Sequence, residues 1–371
     1  MKLFSRKEKQ PETAPKPSIQ NLLYTTTTTT YQIYHEGVKE HILISPVHVP
    51  RRKSRSVIHQ IASPHSAKDT YFIHVPFLAF HNPARTLRRG GSKSCEPICL
   101  INDDWFWKRW NIQFGDDIGK ALDRRGVVRW ENRSNRDNSL DDDCALKGYK
   151  VRSWRAWYES GKYYHRDVNE KRKRRNLNKS EVEKRKEDEE EHIPMRAEQA
   201  VNLSWESPFS VNTRCYQFRF GNIDFAWKGT SDVPADKKLR DLLPLTHLKL
   251  VAMVPVVPAY DAKPSEVEGH QETREVLLAQ YTSSFGSQQY GSLITFDSEI
   301  SKLLHEFGLD RTAHTKQDPW ACQSGDLHLT RFYDVIIATG MCMIMGEWEK
   351  RQTVFAVILL ALAACQMSSN G

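Results

Sequence analysis

The sequence predicts an antiparallel β-sheet protein, and three observations predict it. Residues 215–230, CYQFRFGNIDFAWKGT, place two alternating aromatic runs on either side of a Gly-Asn pair. Elsewhere, short alternating apolar stretches are punctuated by proline and glycine. Near the end, residues 331–350 read RFYDVIIATGMCMIMGEWEK, a long apolar segment bounded by charge.

Residues 1–30 open with MKLFSRKEKQPETAPKPS and close on the threonine run Thr25–Thr30, with Pro11, Pro15 and Pro17 opposing regular structure. They are expected to be a disordered tail ahead of one domain over 31–351. Ile42 and Ile44 before Pro46, then Tyr71, Ile73 and Val75 before Pro76, read as short strands. In the aromatic segment, Gly221 and Asn222 suit the two central positions of a hairpin turn. That choice pairs 220 with 223, 218 with 225 and 216 with 227. Tyr216, Phe218, Phe220, Ile223, Phe225 and Trp227 then share one face, which a slip of one residue would break. HLKLVAMV at 247–254, EVLLAQY at 275–281 and GSLITF at 291–296 supply further strands, the first ended by Pro255 and Pro258.

Two segments depart from this pattern. Residues 165–192 are almost devoid of apolar side chains and switch from basic to acidic, which predicts a charged insertion, either a solvated loop or a charge-laced helix outside the core. Residues 331–348 read as a helix that is apolar nearly all round and so belongs in a core or a membrane, with Val335, Ile336, Ile337 and Met341 as buried positions. The tail over 352–371 contains TVFAVILLALAAC at 353–365, shorter than the roughly 20 residues needed to span a bilayer as a helix. The charged EWEKRQ between the two apolar runs opposes one continuous span.

A β-rich domain ending in a very hydrophobic helix resembles the superfamily of tubby C-terminal domains, LURP-one-related proteins and phospholipid scramblases. FAWKGT at 225–230, LPLTHLKLVA at 243–252, LLAQYTSSF at 277–285 and GSLITFDSEI at 291–300 are similar to fungal members of this group. The resemblance covers roughly residues 200–350. It implies a mainly β fold, an antiparallel β-barrel closed around the hydrophobic C-terminal helix, with the charged segment as an insertion. It also implies binding of anionic phospholipid, since tubby-type domains bind phosphoinositide head groups. An apolar helix is satisfied inside such a barrel, where each large side chain buried contributes roughly 1.5–3 kcal/mol.

The net charge of +8 and pI near 9.0 favour acidic partners. Two basic clusters are the candidate phosphate contacts: Arg51, Arg52, Lys53 and Arg55 in one, and in the other Arg85, Arg88, Arg89 and Lys93 with Gly90 and Gly91 in a flexible loop. They point to an anionic phospholipid surface or a protein partner. KRKRR at 171–175 and KRK at 184–186 suggest nuclear import or nucleic-acid binding as the alternative, but EDEEE at 187–191 offsets their field. Trp105, Phe106, Trp107 and Trp110 read as core aromatics, although the three consecutive rings cannot all face inward on one strand.

No glycine-rich phosphate loop, serine elbow, histidine pair on one helix face or cysteine–histidine signature is present, so a non-catalytic module is expected, without cofactor, with an enzyme whose residues converge only in the fold as a further alternative. His74, His247 and His305 sit beside apolar residues, as structural histidines do. The seven cysteines form no disulfide framework, and Cys95 and Cys99 lack a second pair at ligand spacing. No metal site follows. A cytoplasmic location is expected, peripheral to a membrane, with the nucleus as the alternative.

Overall fold

A computed structural model describes residues 27–36, 41–46, 70–76, 83–103, 109–132, 142–150, 159–178, 195–205, 215–229, 247–255, 273–284, 289–308 and 324–369. Twelve strands form a closed antiparallel barrel: β1 (Thr28–Glu36), β2 (His41–Ser45), β3 (Tyr71–His74), β4 (Arg85–Arg89), β5 (Glu96–Asp103), β6 (Arg109–Phe114), β7 (Gln199–Trp205), β8 (Cys215–Phe220), β9 (Ile223–Gly229), β10 (His247–Pro255), β11 (Thr273–Ser283) and β12 (Gln289–Phe296). Each strand pairs with its neighbours in sequence, and β1 closes on β12, which removes every free sheet edge. The helices are α1 (Ile118–Ala121), α2 (Glu159–Asn178), α3 (Asp297–Glu306) and α4 (Ser324–Ser369). From Phe332 to Glu347, every residue of α4 except Tyr333 is buried.

The β8–β9 hairpin turns at Gly221, whose φ of 60° suits glycine. It pairs Phe220 with Ile223, Phe218 with Phe225 and Tyr216 with Trp227, the register that the alternating pattern dictates. Tyr216, Phe218, Ile223, Phe225 and Trp227 are buried, and Phe220 is partly buried against them. Their rings meet the helix. Phe225 and Phe220 lie 5.5 Å from Phe332, and the Trp227 indole donates to Thr339 Oγ1 at 3.1 Å. Val335, Ile336, Ile337 and Met341 fill the same core.

One carboxylate fastens the seam of the barrel to α4. Asp297, at the start of α3, accepts from Thr29 Oγ1 at 2.7 Å, Thr295 Oγ1 at 2.8 Å and Tyr333 Oη at 2.7 Å. Ile300, Leu303 and Leu304 of α3 join the core beside it.

The structure revises three expectations. β1 begins at Thr28, inside the threonine run assigned to the tail, because β-branched threonine suits a strand and Thr28, Thr29 and Thr30 pair with Phe296, Thr295 and Ile294 of β12. The basic segment after residue 84 is strand β4 rather than a flexible loop, and only from Gly90 onward does the chain turn. The first part of the charged insertion is α2, which is not wholly outside the packed structure: Tyr164 and Val168, four residues apart, cluster with Val127.

Candidate functional site

α4 carries acidic groups into the barrel, and β4 supplies their partners. Arg89 Nη2 donates to both Asp334 oxygens, at 2.8 and 2.6 Å, while Arg85 donates to Glu349 and lies 3.8 Å from Asp103. Tyr216 Oη donates to Glu347 at 2.7 Å. β4 therefore runs antiparallel to α4, with Arg89 near the helix's entry into the barrel and Arg85 near its exit. Burial pushes the Asp334 carboxyl above the usual carboxylate range, against the opposing pull of Arg89 and Tyr71.

These contacts separate the basic cluster over 85–93. Arg85 and Arg89 face inward onto carboxylates, Arg88 donates to the Cys95 carbonyl at 2.7 Å, and Lys93 is exposed in the following turn. The cluster presents no single cationic surface. Arg51, Arg52, Lys53 and Arg55 lie outside the described residues, as do Trp105, Phe106, Trp107 and residues 184–191. Trp110 is a buried core residue, 5.7 Å from the Tyr216 ring. Cys99 faces the interior, where burial pushes its thiol up, whereas Cys95 sits in the turn.

A different set of cations surrounds a concave recess on the barrel's flank. Its cavity measures ≈ 600 Å³ and is lined by Lys120, Arg124, Arg125, Arg129 and Lys171, with Asp123, Glu131 and Asp167 as the acidic members. The framework beneath is apolar: Ile118, Ala121, Leu122 and Val128 pack on Leu100 of β5 and on Leu146 and Ala197. That packing leaves Lys120 of α1 exposed.

A tight turn then sets the arginines. Asp123 Oδ1 accepts from the backbone of Arg125 at 2.8 Å and Val127 at 3.2 Å, and Gly126 N donates to Asp123 O at 2.9 Å. Gly126 has φ +84°, and a Cβ there would stand 2.6 Å from the His74 ring, so the position demands glycine. Gly126→Ala is expected to destabilise the fold by about 1–3 kcal/mol, read by denaturant unfolding, and to displace the adjoining arginines.

Each wall of the recess is fixed. Arg129 Nε donates to the Leu122 carbonyl at 3.1 Å, which orients its guanidinium. Arg125 donates to Asp167 of α2 at 3.0 Å and lies over the Tyr164 ring at 5.1 Å. Asn132 closes the floor, donating to the carbonyls of Leu146 at 2.6 Å and Met195 at 3.2 Å and accepting from Met195 N at 2.7 Å. The Asp167 carboxyl is held below its usual range by the hydrogen bond from Arg125, against burial, and by the charges of Lys171, Arg125 and Arg124.

The acidic members leave cationic capacity in place. Asp123 is engaged by backbone amides and Asp167 by Arg125 and Lys171, while Arg124 forms no hydrogen bond or ion pair among the described residues. Arg124 and Arg129 are exposed at the rim. Such a surface can hold a multiply charged anion through guanidinium–oxygen hydrogen bonds. Among the described residues, no group of three or more His, Cys, Asp or Glu side chains could hold a metal ion.

Sequence reasoning reached this site only through Lys171, in the basic run KRKRR. The DRRG word at 123–126 was an available signal, since Asp and Gly at its ends favour a tight turn that projects the two arginines. No family model, curated protein or solved structure matches the chain.

Proposed function

We propose that this chain is a non-catalytic, tubby-like binding module that takes an anionic, phosphate-bearing ligand in the basic recess beside α1 and α2. The observation that carries the reading is the convergence of five cationic side chains on one concave wall, with Arg124 and Arg129 presented at its rim. Planar guanidinium groups match phosphate oxygens geometrically, which a lone ammonium does not. The resemblance of FAWKGT, LPLTHLKLVA and GSLITFDSEI to the tubby and LURP-one-related group supports a binding role, as does a closed barrel whose interior is occupied by helix rather than ligand.

A lipid head group and a free polyphosphate offer the same chemistry, and vesicle sedimentation separates them. The full chain is compared on neutral and phosphoinositide-containing vesicles at low and high salt, beside R124E/R129E, with pyrophosphate as competitor. The reading expects an anion-dependent component that weakens with salt. The double reversal should lower it at least about tenfold, since charge-assisted contacts contribute about 1.5–3 kcal/mol each. A head group is the source if the phosphoinositide-dependent component survives pyrophosphate, and a soluble phosphate compound if pyrophosphate binds while phosphoinositide adds nothing to the binding seen on neutral vesicles. Undiminished binding of both probes by R124E/R129E would refute the recess as the site.

A further inference from the structure

α4 does not stop at the end of the barrel. It continues unbroken to Ser369, and beyond the acidic pair Glu347 and Glu349 it carries VFAVILLALAAC over 354–365. Seven consecutive residues, 359–365, are exposed, with Leu359 at 62%, Leu360 at 71% and Leu362 at 56%. Successive helical residues are about 100° apart, so seven in a row cover every direction around the axis. The projection is therefore apolar all round, unlike a surface helix with one face to bury.

We infer that this projection inserts into the hydrocarbon core of a lipid bilayer without crossing it. A protein groove or a second copy would cover one side of the helix and leave leucine in water on the other, whereas acyl chains surround it completely. Residues 353–365 make about 20 Å of helix, more than the roughly 15 Å of one leaflet and less than the roughly 30 Å of a full core. No helix among the described residues is long and apolar enough to cross a membrane. At the base stands Trp348, 41% exposed and 5.1 Å from the Tyr290 ring, followed in sequence by Lys350 and Arg351. Tryptophan and basic residues are the types that settle at the polar boundary of a bilayer.

This contact is separate from the phosphate recess. Arg331, at the entry of α4, pairs with Glu198 and lies 3.9 Å from Asp116, just ahead of α1, whereas the projection leaves past Glu349 and Arg85. About 24 Å of buried helix separates the two ends. The chain just ahead of α1 therefore lies by the end of the buried helix opposite to the projection.

The test is flotation of the full chain with neutral phosphatidylcholine vesicles in high salt, beside L359S/L360S/L362S and R124E/R129E. Wild type and the recess variant should float equally, and the serine variant should lose about a hundredfold or more in partitioning. Its melting temperature should match wild type, because the three side chains are exposed. Failure of wild type to float, or equal flotation by the serine variant, would overturn the inference. So would sedimentation-velocity self-association that the serine changes abolish while vesicles recruit nothing.

Discussion

Replacing Trp227 with alanine is expected to lower the unfolding free energy by about 3–5 kcal/mol, the range for deleting a large aromatic from a packed core. Trp227 is fully buried and meets α4 where the helix has Gly340: a Cβ there would stand 3.1 Å from the indole. The ring thus occupies a place that the helix leaves open for it, and neither element can collapse far into the space after truncation. The indole N–H also satisfies Thr339, whose hydroxyl donates onward to the Val335 carbonyl at 2.8 Å. Trp227→Phe keeps most of the volume and should lose only about 1 kcal/mol with the hydrogen bond. Denaturant unfolding of both variants checks this. Equal losses would mean that ring volume is not what joins strand and helix.

Replacing Arg89 with methionine should destabilise the protein by about 3 kcal/mol at neutral pH, the low end for breaking a buried pair because the Arg89 side chain keeps 33% exposure. The change strands the Asp334 carboxylate, which is 2% exposed. The pH dependence has a definite sign. The folded-state pKa of Asp334 is already raised by burial, so the folded chain holds this proton more tightly than the unfolded chain does. Its contribution to stability is greatest below the ordinary carboxylate value of 3.8 and falls as pH rises through the window above it. Without Arg89 that window widens. The penalty in Arg89→Met should therefore shrink as pH is lowered, while Asp334→Asn removes this group's pH dependence altogether. Unfolding measured between pH 4 and 7 decides the matter, and a penalty that grows on acidification would contradict the assignment.

What the sequence revealed followed from how local the signal was. The β8–β9 hairpin was legible to its register, because alternation, a Gly-Asn turn and six large apolar residues all lie within one short segment. The buried part of α4 was legible for the same reason, as a continuous apolar run. β4 was not. RTLRR offers one large apolar residue, Leu87, and its inward arginines are accommodated by Asp334 and Glu349, roughly 250 residues away in the chain. Sequence adjacency made Arg85, Arg88, Arg89 and Lys93 look like one cationic loop, yet strand geometry sends alternate side chains to opposite faces. The recess was hidden by the opposite circumstance. Its cations come from α1, the turn after it and α2, and only the fold brings Arg124, Arg129 and Lys171 together.

The barrel and the recess are distinct parts of this molecule. α4 fills the interior of the barrel, so the proposed binding site lies on the outer surface, where the elements between β6 and β7 are built onto the sheet. Asn111 and Asn202, paired at 3.0 Å across β6 and β7, and Gln113, bonded to the Asp143 and Ala145 carbonyls at 2.8 and 2.9 Å, hold that connection against the strands. The site rests on a rigid wall rather than on a free loop.

The most direct test of that account is calorimetric titration of the full chain with pyrophosphate at fixed ionic strength, wild type beside R124E/R129E. The account predicts saturable binding to wild type, weaker by at least about tenfold in a variant that still melts cooperatively. Equal affinity in both proteins, or no binding of pyrophosphate by either together with no preference for anionic vesicles, would contradict it.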